Sequence, residues 1–139
     1  MGSVDLWRMR CRAGLSVLYG TAGILHLAYP APFVSITPIW VPNAQAVIIL
    51  TGFCEIAGAI GLQVPALRRY AGIGLALYAV LVFPANIKHA VDSLSAPGAS
   101  AWQWLYHAAR LPLQPVFVWL AAFAVGFVCW PLHGKAKGQ

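Results

Sequence analysis

Four long apolar runs, roughly residues 13–28, 44–62, 71–87 and 112–131, fill most of this chain, and each is bounded by proline, arginine or polar residues. A run of about 20 apolar residues matches a hydrocarbon core of about 30 Å. A backbone in lipid must also satisfy its own N–H and C=O groups, which favours helices. The pattern predicts an all-α fold: an integral membrane, four-helix, up-and-down bundle forming a single domain over 1–139. With 60% hydrophobic and only 9% charged residues, the chain has too little polar surface for a dissolved monomer. A soluble protein with four buried core helices would need polar outer faces, and these runs have none.

The charges set an expected orientation. Arg8, Arg10 and Arg12 precede the first run, Arg68 and Arg69 lie between the second and third, and Lys135 and Lys137 follow the fourth. Lys88 and Arg110 fall on the other side. Such an imbalance in short loops places both termini and the middle loop in the cytoplasm, with the first run retained as a span because the Ala28-Tyr29-Pro30 region offers no good signal-peptide cleavage site. The expected location is a bacterial inner membrane. The net charge of +6 then reads as topology and attraction to anionic lipid, with no indication of nucleic acid.

Cysteine use narrows the chemistry. Cys11, Cys54 and Cys129 are far apart and form no CxxC pair, which argues against a dithiol relay and favours small, buried packing residues. Four scattered histidines without a ligand spacing give no metal site, although His26 and His89 could be imagined as haem or copper ligands. His107 and His133 read as solvated residues at the membrane surface.

Proline spacing shapes the loops. Residues 29–43 carry Pro30, Pro32, Pro38 and Pro42 and no charge, so an extended or turned segment is expected. With Phe33, Ile36, Ile39 and Trp40 interleaved, it suits either a lipid anchor or a lid over the bundle mouth. The second outer loop, 88–111, begins with a flexible run at 93–98 and then holds a short interfacial helix at 101–110. Tyr29, Trp40, Trp102, Trp104 and Tyr106 would form an outer aromatic belt, with Trp7, Tyr70 and Trp130 at the inner one.

The polar residues inside the runs carry the functional argument. Gly52, Glu55, Gly58, Ala59 and Leu62 share one face of the second helix, and Gly72, Ala76, Ala79, Phe83 and Asn86 share one face of the third. His26 follows Tyr19, Ala22 and Gly23, and Gln114 leads Val118, Ala121, Ala122 and Val125. Helices in lipid associate through stripes of small residues, so the polar groups should face the interior. From a rise of 1.5 Å per residue, Glu55 lies about 16 Å below the outer boundary, His26 and Asn86 about 8 to 10 Å below it, and Gln114 nearer the surface. Glu55 costs about 2.5 to 3.5 kcal/mol to insert and needs a partner. Arg110 reaches it only if the fourth helix starts deep; otherwise a neutral carboxyl donating to His26 or Asn86 is expected. Pro84 should kink the third helix and free a carbonyl near this layer. The group suits a pocket for a small molecule, quinone or proton, or a hydrogen-bonded plug that fixes helix register.

Phe83-Pro84-Ala85-Asn86, Arg110-Leu111-Pro112-Leu113-Gln114, the Gly52-x-x-Glu55-x-x-Gly58-x-x-Gly61-Leu62 stretch and Ala22-Gly23-x-x-His26 together resemble the DoxX-like family of small four-helix membrane proteins, over about residues 12–130. The resemblance implies that fold, a pocket at Glu55, Asn86, Arg110 and Gln114, and an association with membrane redox or oxidative-stress complexes. The expected function is a non-catalytic subunit supporting quinone-linked electron transfer beside a redox partner protein. Glu55 and His26 would handle protons, Asn86 and Gln114 would bind a quinone oxygen, and Arg110 would hold an anionic group at the mouth. The alternatives are a transporter or binding module for a small, weakly polar compound, and a structural assembly subunit; a homo-oligomer fits any of these.

Overall fold

A computed structural model of the chain describes residues 2–129 and contains five helices: α1 (Ser3–Ala28), α2 (Ala31–Ile36), α3 (Ala44–Gln63), α4 (Arg68–Ser95) and α5 (Ala101–Ala124). The described residues hold no strand. The all-α expectation is met. Trp130, His133, Lys135, Lys137 and the end of the fourth predicted run lie outside the described residues.

The four long helices close into a ring in which α1 packs on α3, α3 on α4, α4 on α5 and α5 on α1, with α2 lying across α3 and α4. Neighbours run antiparallel. Ser16 Oγ of α1 donates to the Ala59 carbonyl of α3 at 2.8 Å, while Gly23, further along α1, meets Gly52, earlier on α3. The crossing at Gly23 and Gly52 is so close that a Cβ on Gly23 would stand 2.6 Å from the Gly52 carbonyl oxygen. Only glycine lets the two backbones approach this far. Leu15, Tyr19, Ala59, Leu62, Leu75, Ala121 and Ala124 form the core beyond it.

Helix boundaries depart from the expected runs at their ends. The first helix begins at Ser3, well before residue 13, and the Gly2 amide donates to Asp5 Oδ2 at 3.2 Å in its first turn. The proline-rich outer segment is not wholly extended: it contains α2, with Pro30 at the N-cap and Pro32 in the first turn, where an amide proton has no helical acceptor to lose. The third long helix runs through Pro84 to Ser95, taking in residues expected to be a flexible loop. The expected interfacial helix 101–110 and the run beginning at Pro112 are a single helix. Ser100 starts it by accepting from the Gln103 amide at 3.3 Å while Gln103 Oε1 accepts from the Ser100 amide at 2.8 Å. Pro112 and Pro115 sit inside α5.

Among the described residues, two helices, α3 and α4, are long and apolar enough to cross a membrane. Four were expected. Arg8, Arg10 and Arg12 join α1, and α5 includes His107, Arg110 and Gln114, so neither matches the hydropathy of the middle pair. Outward residues of the middle pair are large and apolar: Leu50, Phe53 and Ile60 on α3 and Leu77, Val80 and Leu81 on α4 are all exposed. The cysteines are free, as expected; Cys11 is half-buried and packs against the core, whereas Cys54 and Cys129 are exposed and are not core packing residues. Cys54 precedes the buried Glu55 and is turned away from it, on the same outward side as Phe53.

Candidate ligand cavity

A cavity of about 360 Å³ occupies one end of the ring, and His26, Glu55, Asn86, Arg110 and Gln114 all line it. The five residues predicted from the apolar runs therefore converge. His26, Glu55, Asn86 and Gln114 are buried, with Glu55 only 3% exposed. The remaining wall is largely apolar, including Leu18, Val47, Ile48, Val82 and Phe117.

The wall from α1 and α3 is built on the glycine crossing. A Cβ on Gly52 would lie 3.0 Å from the Cβ of His26, so this close approach brings the His26 ring onto α3. Its Nδ1 stands 2.6 Å from Glu55 Oε2. The contact has ion-pair distance but is out of line for a hydrogen bond, and both atoms are buried without another partner. Of the three expected partners for Glu55, namely Arg110, His26 and Asn86, the structure selects His26. Arg110 makes no ion pair with it. Tyr78 and Thr51 also line the cavity, and the Tyr78 hydroxyl interacts with the Glu55 carboxyl. Tyr19 stands edge-on to Tyr78, with ring centroids 6.1 Å apart.

The wall from α4 and α5 is a directed chain of hydrogen bonds. Arg110 Nη2 donates to Asn86 Oδ1 at 2.7 Å, Asn86 Nδ2 donates to Gln114 Oε1 at 2.9 Å, and Gln114 Nε2 donates to the Ala79 carbonyl at 2.5 Å. That carbonyl is next to the one on Val80, which loses its helical donor at Pro84. Arg110 Nη1 also contacts His89 Nδ1 and donates to the Tyr106 hydroxyl, each at 2.9 Å. Every side chain holding Arg110 is neutral or a histidine ring. No carboxylate pairs with it among the described residues, so its positive charge remains available to the cavity.

The segment expected as an anchor or lid lies over the cavity mouth. Phe33 of α2 packs edge-on against the His26 ring, with centroids 4.0 Å apart, and Thr37, Pro38 and Val41 complete the rim. Ile39 is 98% exposed, and Trp40, 71% exposed, still contributes to the cavity lining.

Sequence reading missed the residues that hold the site. His107, expected to be solvated, is 2% exposed and stacks edge-to-face on His89 with centroids 4.7 Å apart. It is buried because α5 is continuous, which places residue 107 one turn before Arg110 on the same face. Tyr106, expected in the outer aromatic belt, and His89, weighed only as a haem or copper ligand, were not joined to the site, although Tyr106 lies four residues before Arg110 and His89 three after Asn86. Tyr78 and Thr51 gave no comparable signal, since their position depends on how α3 meets α4. The described residues contain no group of three or more histidine, cysteine or acidic side chains able to hold a metal ion.

No curated protein and no solved structure matches the chain. The family model described as Domain of unknown function (DUF8561) matches residues 15–125, from the first buried leucine of α1 to the C-cap of α5, and the chain belongs to that family.

Proposed function

We propose that this protein is a four-helix membrane bundle whose outward-facing cavity binds a quinone-type headgroup in support of a partner oxidoreductase. One observation carries the reading: an uncompensated guanidinium on one wall faces the same apolar cavity as a buried histidine–glutamate pair with unfilled hydrogen-bond capacity on the other. A plug that merely fixed register would close polar groups on one another, leaving no open volume. The cavity falls within the usual range of about 300 to 1,000 Å³ for small-molecule sites.

The membrane part of this reading rests on the exposed apolar faces of α3 and α4 and on the arginines gathered at one end. In a bilayer α1 and α5 complete the bundle, with their polar residues turned inward or held at the ends. The positive-inside rule then puts both termini in the cytoplasm and the cavity in the outer half.

Within the cavity, Arg110 donates to one carbonyl oxygen, oriented by Asn86 and Gln114 behind it. Reduction of a quinone to a quinol consumes two electrons and two protons. The electrons come from the partner, since no side chain here carries them, and His26 and Glu55 relay the protons. The resemblance to DoxX-like subunits supports the redox assignment. A binding or transport module for another weakly polar compound is the second reading, favoured by the α2 lid over the mouth.

Purified protein in mild detergent tests the proposal. A short-tailed benzoquinone at about 100 times its Kd should stabilise the fold by about 2.7 kcal/mol. R110Q should abolish that shift. No retained quinone by mass spectrometry and no stabilisation would overturn the redox reading, and stabilisation by a non-quinone compound alone would favour the second.

A further inference from the structure

At the end of the ring opposite the cavity, three arginines converge without a matching acid. Arg12 Nη1 donates to the Ala124 carbonyl at the end of α5 at 2.8 Å, and Arg68 Nε donates to the Leu62 carbonyl near the end of α3 at 3.2 Å. Arg8 Nη2 contacts Cys129 Sγ at 3.5 Å, and its guanidinium lies 5.6 Å from the centre of the Phe123 ring. Cations at helix C-termini are favourable, which explains one nitrogen of Arg12 and of Arg68. It leaves the rest unexplained. Their other guanidinium nitrogens have no hydrogen-bond acceptor among the described residues, and Arg8 Nε is buried with none.

Arg68 and Arg8 both lie within electrostatic range of Arg12, where Asp5 is the one carboxylate. Asp5 already accepts from the Gly2 amide. The start of α4 adds to the positive field, since its first turn has no acidic residue and its N-cap, Leu67, offers no side-chain acceptor. All three arginines are half-buried, so their mutual repulsion is less screened than on an open surface.

We propose that Arg8, Arg12 and Arg68 form a site for the phosphate of an anionic phospholipid headgroup. Guanidinium forks suit the geometry of phosphate oxygens, and a phosphate would neutralise the cluster. Exposed Trp7, Leu67 and Tyr70 lie within two residues of these arginines in the chain, and exposed Phe127 follows Gly126, where an added Cβ would stand 3.5 Å from the Arg8 guanidinium carbon; together they offer apolar surface for the acyl chains. Free phosphate shares the headgroup chemistry but would not use that surface. The site rests on the membrane reading and is independent of the quinone assignment.

The test uses full-length protein, delipidated in nonionic detergent and titrated with phosphatidylglycerol, phosphatidylcholine or inorganic phosphate, with bound lipid read by native mass spectrometry. Phosphatidylglycerol should be retained in preference to phosphatidylcholine, and R12Q/R68Q should weaken that retention by about tenfold. R10Q/R69Q, which removes equal charge from exposed positions outside the cluster, should leave it within about twofold, as exposed charge contributes little. Equal retention of the two lipids, or equal weakening by the two double variants, would overturn the site. Inorganic phosphate that displaced phosphatidylglycerol at similar concentration would also overturn it, in favour of a free anion. Because Arg12 and Arg68 also hold helix ends, R12K/R68K is measured alongside; if it binds as tightly as the parent, fork recognition is refuted. Carbonate extraction of cell membranes comes first: release of the protein would sink the membrane reading, whereas a retained protein without lipid preference sinks the headgroup site alone.

Discussion

Glu55 and His26 are the two residues whose burial demands an energetic explanation. A carboxyl 3% exposed beside an imidazole 8% exposed loses its hydration, and the 2.6 Å contact returns only part of that. Removing one member should therefore destabilise more than removing both. H26L is expected to lower stability by about 3 kcal/mol by leaving Glu55 alone, while H26L/E55L should recover most of the loss yet bind no quinone. Thermal unfolding in detergent, with and without ligand, checks both. A double variant less stable than either single one would refute the pairing argument. Arg110 invites a second prediction. Its guanidinium contacts Asn86, His89 and Tyr106 together, a geometry a lysine cannot reproduce, so R110K should weaken ligand binding by about tenfold despite keeping the charge.

Between helices, the spacing of α1 and α3 is set by Gly23 against Gly52. G23A places a methyl 2.6 Å from a backbone carbonyl that cannot rotate aside, and should cost about 1 to 3 kcal/mol through helix separation. It should also weaken ligand binding, because His26 is carried on the same crossing. G14A and G74A are the controls: nothing lies within 4 Å of either added methyl, so a gain of about 0.5 to 1 kcal/mol from helix propensity is expected. If G23A unfolded at the same temperature as G14A, the crossing would not be the constraint described. Stripes of small residues revealed which faces pack, and the buried set on α3, including Gly52, Glu55, Ala59 and Leu62, agrees with the expected face. The extent of α5 was not legible in the same way. Pro112 looked like a helix start, but helix-interior prolines are tolerated where neighbouring groups satisfy the backbone.

Over the whole molecule, the arginine-rich end and the cavity end define an axis, and its direction across a membrane is measurable. Cys129 is exposed at the arginine-rich end, and Cys54 faces outward from the middle of α3. A membrane-impermeant maleimide should label Cys129 in inside-out vesicles, leave it unlabelled in right-side-out ones, and miss Cys54 in both. Labelling of Cys129 from the outer side would reverse the proposed orientation, and rapid labelling of Cys54 would remove α3 from the bilayer.

Hydrophobic run length and residue spacing along the chain were enough to determine the helical class, the inward faces and the small set of polar residues those faces carry. Those properties follow from the helical repeat and the loss of hydration in an apolar setting, both local. The choice of His26 rather than Arg110 as the partner of Glu55, the burial of His107 and the gathering of Arg8, Arg12 and Arg68 were decided only by tertiary structure. Each depends on how far one helix slides along another and where α5 begins, and a shift of one turn, about 5.4 Å, exceeds the reach of any hydrogen bond.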